Sequence, residues 1–180
     1  PNPTIPTISN ITPFSVDLAW TSGGGPNAAG AVIEYGPAGF ALGTGTQVPA
    51  TMNPFTLGML NPATDYDFYL REDCGIDGFS GWVGAVSATT ACVTYVAPFY
   101  EDFALNSTPN CWSEAGPETW LYNTNAFYGA AAAGDHTPGG GTNVAWLDGS
   151  GASGPTQFGE LPTPLIDISG LPNPWLSYWY

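Results

Sequence analysis

Three cysteines and one histidine bound the chemistry open to this 180-residue chain. Cys74, Cys92 and Cys111 sit in a sequence that otherwise reads as extracellular, where thiols pair in disulfides rather than hold metal or act as nucleophiles. Cys74 ends one predicted strand and Cys92 follows the last strand of the same predicted sandwich. A Cys74–Cys92 bridge is therefore expected, with a loop-closure gain of about 3 kcal/mol. The alternative, Cys92 with Cys111, staples the junction between two domains. Either pairing leaves one cysteine over. His136 is the only imidazole, so any Ser-His-Asp triad would have to be built on it, and zinc sites needing two His are excluded. Nothing in the sequence marks a Ser or Cys as its partner, and no cleft that would pair carboxylates for glycoside hydrolysis can be inferred. The expected reading is not an enzyme. Seven Trp and nine Tyr exceed what two small sandwiches need at their centres. Trp112, Trp120, Tyr122 and Trp146 are candidates for flat ligand-binding platforms, against the alternative of core packing.

Composition removes several partner classes. Fifteen Asp and Glu face a single cation, Arg71, giving a formal net charge of -14. Such a chain cannot neutralise phosphates or release counterions, so nucleic acid is excluded as a partner. The same lack of Lys and Arg argues against docking on anionic lipid. At 43% hydrophobic and 14% aromatic residues the chain can fill a core, which disordered chains cannot. No stretch of about 18 apolar residues is present, so direct membrane insertion is not expected. The opening PNPTIPT has neither a charged n-region nor an apolar h-region and reads as a Pro-rich linker within a longer polypeptide.

The elements that must position these residues are strands. Gly (24) and Pro (18) are frequent without a collagen period, and apolar residues at helical spacing never run beyond two turns, the signature of short strands joined by tight turns. Val16, Leu18 and Trp20 alternate with Asp17 and Ala19; Ala31, Ile33 and Tyr35 alternate with Val32 and Glu34, up to the Gly36-Pro37 break; Tyr66, Phe68 and Leu70 alternate with Asp65, Asp67 and Arg71. A further strand is expected over residues 82–89. The composition breaks near the middle, and two domains are expected, residues 1–92 and 93–180.

Residues 4–91 resemble a fibronectin type III domain. The residues that carry the likeness are Trp20 on the second strand, Glu34-Tyr35 on the next, and the Leu60-x-Pro62-x-Thr64-x-Tyr66 corner before the sixth. The resemblance implies structural roles for Trp20 and Tyr66, the tyrosine packing its ring in the core and returning its hydroxyl to nearby backbone. The loop over residues 75–81 has no Arg-Gly-Asp, so integrin recognition is not implied.

The second half carries, in order, Glu101-Asp102-Phe103, Cys111-Trp112, Asp135-His136-Thr137 and Leu176-Ser177-Tyr178-Trp179-Tyr180. In that order they resemble the opening part of a MAM domain, a jelly-roll module of extracellular proteins. The implied fold is all-β: a fibronectin type III-like β-sandwich followed by a partial MAM-like jelly-roll β-sandwich. Some modules of this kind carry a structural cation near the opening strand and the Asp-His-Thr loop, which makes Glu101, Asp102, Asp135 and Asp148 candidate Ca2+ ligands. His136 is then a loop anchor. Residues 175–180 read as an aromatic edge strand that further chain or a neighbouring subunit is expected to cover.

The pairing of these modules resembles large secreted surface proteins of Bacteroidetes-type bacteria. The expected function is a non-enzymatic extracellular module of a secreted or cell-surface protein, acting in adhesion or as a structural spacer or filament component. Its expected partners are other domains of the polypeptide, neighbouring subunits, glycans or surface proteins. The alternative is an accessory carbohydrate-binding or substrate-targeting region of a secreted hydrolase or protease.

Overall fold

Val16 and Leu18 are fully buried, whereas Asp17 and Ala19 are not, because β2 (Val16–Ala19) sends alternate side chains to opposite faces of a sheet. The computed structural model that shows this describes residues 1–24, 28–123, 143–147 and 158–178. β1 (Thr7–Ser9) and β5 (Phe55–Leu57) flank β2, both antiparallel to it. The facing sheet is built from β3 (Gly30–Pro37), β4 (Thr46–Ala50), β6 (Asp65–Asp73) and β7 (Val83–Thr89) in the order β4-β3-β6-β7, every pair antiparallel. Three strands facing four form the fibronectin type III-like sandwich that the resemblance implies. The chain is all-β among the described residues, apart from one 3-10 turn at Gly75–Asp77.

Between the sheets lie Val16, Leu18 and Leu57 from one side and Ile33, Tyr66, Phe68 and Leu70 from the other. Each large side chain buried here contributes about 1.5 to 3 kcal/mol over leaving it in water. Trp20, one residue beyond β2, packs partly buried against this cluster. Tyr66 behaves as the corner motif implies: its ring is 6% exposed, and its hydroxyl accepts the Asn61 N–H at 3.0 Å. Thr90, almost fully buried, ties the same corner by donating to the Asn61 carbonyl at 2.6 Å and accepting the Thr64 N–H at 2.9 Å. At Gly84 the register of β6 and β7 shifts between Phe68 and Tyr69. A Cβ there would lie 2.7 Å from the Phe68 carbonyl oxygen, and φ is +122°, so only glycine fits.

Two side chains on the outer face of the four-stranded sheet depart from the simple alternating picture. Glu34, on the solvent side of β3, is fully buried. Its Oε1 accepts the N–H groups of Gly43 (2.6 Å) and Gly45 (2.9 Å), and its Oε2 accepts the Gln47 side-chain amide (2.8 Å). Phe40 closes over the same face, edge-on to Tyr69 at 5.5 Å. Arg71, the one cation of the sequence, lies with its guanidinium 4.1 Å from the Phe79 ring centre and 4.5 Å from that of Trp82.

The chain divides into two compact units, Pro1–Val93 and Thr94–Tyr180. In the second, β8 (Tyr95–Val96) pairs in parallel with β11 (Ile166–Asp167), and β9 (Trp120–Asn123) pairs antiparallel with β10 (Val144–Leu147). Aromatic rings link these pieces in a series, from Tyr95 to Phe99 (4.9 Å), Phe99 to Trp112 (6.5 Å), Trp112 to Phe103 (5.3 Å) and Phe103 to Tyr122 (6.2 Å).

Two expectations are corrected. Cys74 is a free thiol, whereas Cys92 and Cys111 are disulfide-bonded, so the Cys74–Cys92 bridge does not form. The antiparallel hairpin explains why: Asp65 pairs with Thr89, placing Cys74 at the turn end of β6 and Cys92 beyond the opposite end of β7. Nine residues of strand, at about 3.3 Å each, separate them, against the 4.4 to 6.8 Å that a disulfide spans. The second correction concerns residues 175–178, which form no strand: Trp175 (83% exposed) and Leu176 (84%) stand in solvent. Trp179 and Tyr180 lie outside the described residues. No helix among the described residues is long and apolar enough to cross a membrane.

Candidate functional site

Trp120 and Tyr122 alternate along β9 with Leu121 and Asn123, so strand geometry sends the two rings to the same side. There Asn106, Thr108, Glu114, Trp120, Tyr122 and Asn123 line a cleft of about 420 Å3. The knot that holds it is the Glu114 carboxylate. It accepts the Thr108 hydroxyl and the Tyr122 hydroxyl (2.9 Å), with the Trp120 N–H at a longer 3.4 Å. Asn143 steadies the far wall, its side-chain amide donating to the Ala104 carbonyl (2.9 Å) and to Asn106 Oδ1 (2.8 Å).

The Thr108 hydroxyl beside Glu114 holds its carboxyl below the ordinary value of 4.5, with smaller support from Tyr122 and Trp120 against a raising effect of burial. Burial pushes the Tyr122 phenol above its ordinary 10.0. Glu114 is therefore a carboxylate and Tyr122 a neutral hydroxyl across the physiological range. Both shifts move these groups away from neutrality, the carboxyl downward and the phenol upward.

Of the four candidate platforms, Trp120 and Tyr122 line this cleft and Trp112 and Trp146 do not. Tyr122 is nearly buried, stacked on Phe103, so it supplies a wall rather than an open face. Trp112 is a packing ring between Phe99 and Phe103, and its buried indole N–H has no hydrogen-bond partner among the described residues. Trp146 donates its indole N–H to Asn123 Oδ1 at 3.1 Å, and Trp120 donates its own to the Glu160 carbonyl at 3.2 Å.

Glu101 and Asp102 each turn one carboxylate oxygen back onto the chain, accepting the N–H of Phe103 (2.8 Å) and of Ala104 (3.0 Å). Carboxylates are the right donors for a hard cation. The convergence expected of the four acids rests on Asp135 and Asp148, which lie outside the described residues, as does His136. Among the described residues no three His, Cys, Asp or Glu gather as a metal site would require.

Thr108 and Glu114 were not legible as site residues. The one sequence signal is their placement on either side of Cys111, which is disulfide-bonded.

No protein-family model matches the chain, and no curated protein does. Among solved structures, the chain is similar to the fibronectin type III domain of the human collagen alpha-1(XX) chain, with 26% identity over 52% of this chain and 88% of that one, at a TM-score of 0.44. It is also similar to a fibronectin type III domain of human contactin 1, with 17% identity over 56% of this chain and 84% of that one, at 0.48. A β-sandwich protein redesigned by computation is similar at 23% identity, over 53% of this chain and 94% of that one, at 0.43.

Proposed function

We propose that this chain is a non-enzymatic extracellular module of a larger secreted or cell-surface protein, serving in adhesion or as a structural spacer. The observation that carries the reading is the sandwich of the first unit, closed around its own core and pinned at the Tyr66 corner, in a chain that holds a disulfide. On this reading the second unit is the opening part of a MAM-like jelly roll, and Glu101, Asp102, Asp135 and Asp148 hold a structural Ca2+; a melting temperature indifferent to chelator and to added Ca2+ removes that part. A spacer built on this closed sandwich should resist load and give way as a unit. Pulling single molecules of the 180-residue chain should give a discrete rupture that releases about 30 nm, the extended length of the first unit at roughly 3.3 to 3.6 Å per residue. Yielding without a resolved rupture counts against the spacer role.

A second reading, carbohydrate binding within a secreted hydrolase or protease, is favoured by the cleft, where Trp120 stands beside amide and carboxylate groups. Glycan-array binding that disappears in Trp120→Ala supports it, and an array with no binding removes it.

A further inference from the structure

The first unit contains two buried carboxylates, and they are served unequally. Glu34 receives three donors, whereas Glu72, only 3% exposed, receives one, the Gly23 N–H at 3.0 Å on Oε2. Its Oε1 accepts no hydrogen bond among the described residues. A carboxylate has acceptor capacity for about four bonds, and burying one is costly unless it is paired. No Lys or Arg side chain pairs with it. The chain has no Lys, and Arg71, although next in sequence, projects to the opposite face of β6 and is held between Phe79 and Trp82.

Glu72 lines a pocket of about 180 Å3, together with Trp20, Ser22, Thr51, Met52 and Asn53 among others. The pocket is built rather than incidental. Two hydrogen bonds lock the Glu72 backbone to Ser80: the Glu72 N–H donates to Ser80 Oγ at 2.9 Å, and the Ser80 N–H to the Glu72 carbonyl at 2.9 Å. Gly23 is clasped by the first residues of the chain so closely that a Cβ would lie 2.5 Å from the Pro1 carbonyl oxygen. Asn2 anchors that segment by accepting the Gly81 N–H at 3.0 Å. Asn53 spends both ends of its amide on the Trp20 backbone, fixing the indole-bearing wall.

We propose that this pocket receives an alkylammonium group, specifically a lysine side chain of a polypeptide partner. Most of Glu72 is buried while it lines the pocket, so an incoming cation meets a largely desolvated anion beside an indole suited to the aliphatic stem and to the charge. Met52, 70% exposed, lines the same pocket and adds an apolar surface for the backbone side of such a lysine.

The test is a titration of the 15N-labelled full chain with n-butylammonium, with n-butanol as the neutral isostere, followed at the Gly23 amide and the Asn53 side chain. Saturable shifts at least tenfold tighter for the ammonium are expected, and they should be lost in Glu72→Gln, which can still accept the Gly23 N–H. An equal response to butanol, or a Glu72→Gln protein that binds as well as the parent, overturns the proposal. Should Glu72→Gln fail to fold, Met52→Lys supplies its own ammonium at the rim and should block the probe; undiminished probe binding in that variant also overturns it. A capped lysine peptide should bind as n-butylammonium does and lose binding when its side chain is acetylated. A capped lysine peptide that fails to bind, or that binds as well with its side chain acetylated, overturns the assignment to a polypeptide partner.

Discussion

Tyr66 shows how one side chain can decide a crossover between sheets. Its ring contributes to the core and its hydroxyl accepts the Asn61 N–H, so Tyr66→Phe keeps the packing and strands a backbone donor. The first unit should lose about 1 to 3 kcal/mol, read as a lower denaturant midpoint with unchanged slope; an unaltered midpoint would mean that the hydroxyl does not pin the corner. Two outward carboxylates work in another way. Asp17 is held below its ordinary 3.8 chiefly by the Thr56 hydroxyl and then by the Asn10 amide, and Asp67 chiefly by the Ser87 hydroxyl and then by the Gly39 N–H. A depressed value in the folded state means the ionised form is favoured there. The resulting stability is present above about pH 4 and is lost as the pH falls through each depressed value. Melting temperatures measured from pH 6 down to pH 2 should drop in that acid window, and Asp67→Asn should flatten part of the drop. An identical profile in the variant would show that these bonds are not linked to folding.

At the scale of elements, the carboxylate of Glu34 on β3 organises the loop that follows that strand. Glu34→Ala leaves the N–H groups of Gly43 and Gly45 and the Gln47 amide without their acceptor. A loss of about 2 to 4 kcal/mol is expected, together with faster amide exchange at Gly43 and Gly45 than at the core strands; protected glycine amides in the variant would show that the loop holds itself. Alternation in the sequence places Glu34 on the correct face of the sheet, but not its burial. Burial comes from Phe40 and its loop folding back over that face, a tertiary event with no local period. The same distinction explains which strands were legible. β2, β3 and β6 each carry enough alternating residues to show period two, whereas β1 and β5 have three residues each, β4 is an edge strand interrupted by Pro49, and in β7 the irregularity opposite Phe68 and Tyr69 breaks the alternation. The cysteines fit the pattern too. Hairpin geometry alone separates Cys74 from Cys92, and that separation becomes visible once β6 and β7 are read as adjacent antiparallel strands. The cleft of the second unit was legible only through Trp120 and Tyr122, because Glu114 acts through bonds to residues that no spacing rule connects to it.

Across the whole molecule, a formal charge of -14 coexists with apolar side chains left in water near the end of the chain: Leu165, Ile168, Trp175, Leu176 and Tyr178 are all exposed. These features oppose each other. Like charge keeps copies apart over a screening length of about 30 Å at 0.01 M salt, which shrinks to about 8 Å at 0.15 M and further above it. Apolar attraction does not weaken in the same way, since it scales with area removed from water. The balance should therefore tip with ionic strength. Sedimentation velocity of the 180-residue chain is expected to show monomer at about 0.01 M salt and reversible association at about 0.5 M, where screening leaves only short-range repulsion. A double substitution, Trp175→Ser with Leu176→Ser, removes the two most exposed of these five side chains and should leave a monomer at both salt concentrations. If the doubly substituted chain associates as the parent does, the contact lies elsewhere on the surface. If the parent shows no dependence on salt, its charge is not what holds the copies apart.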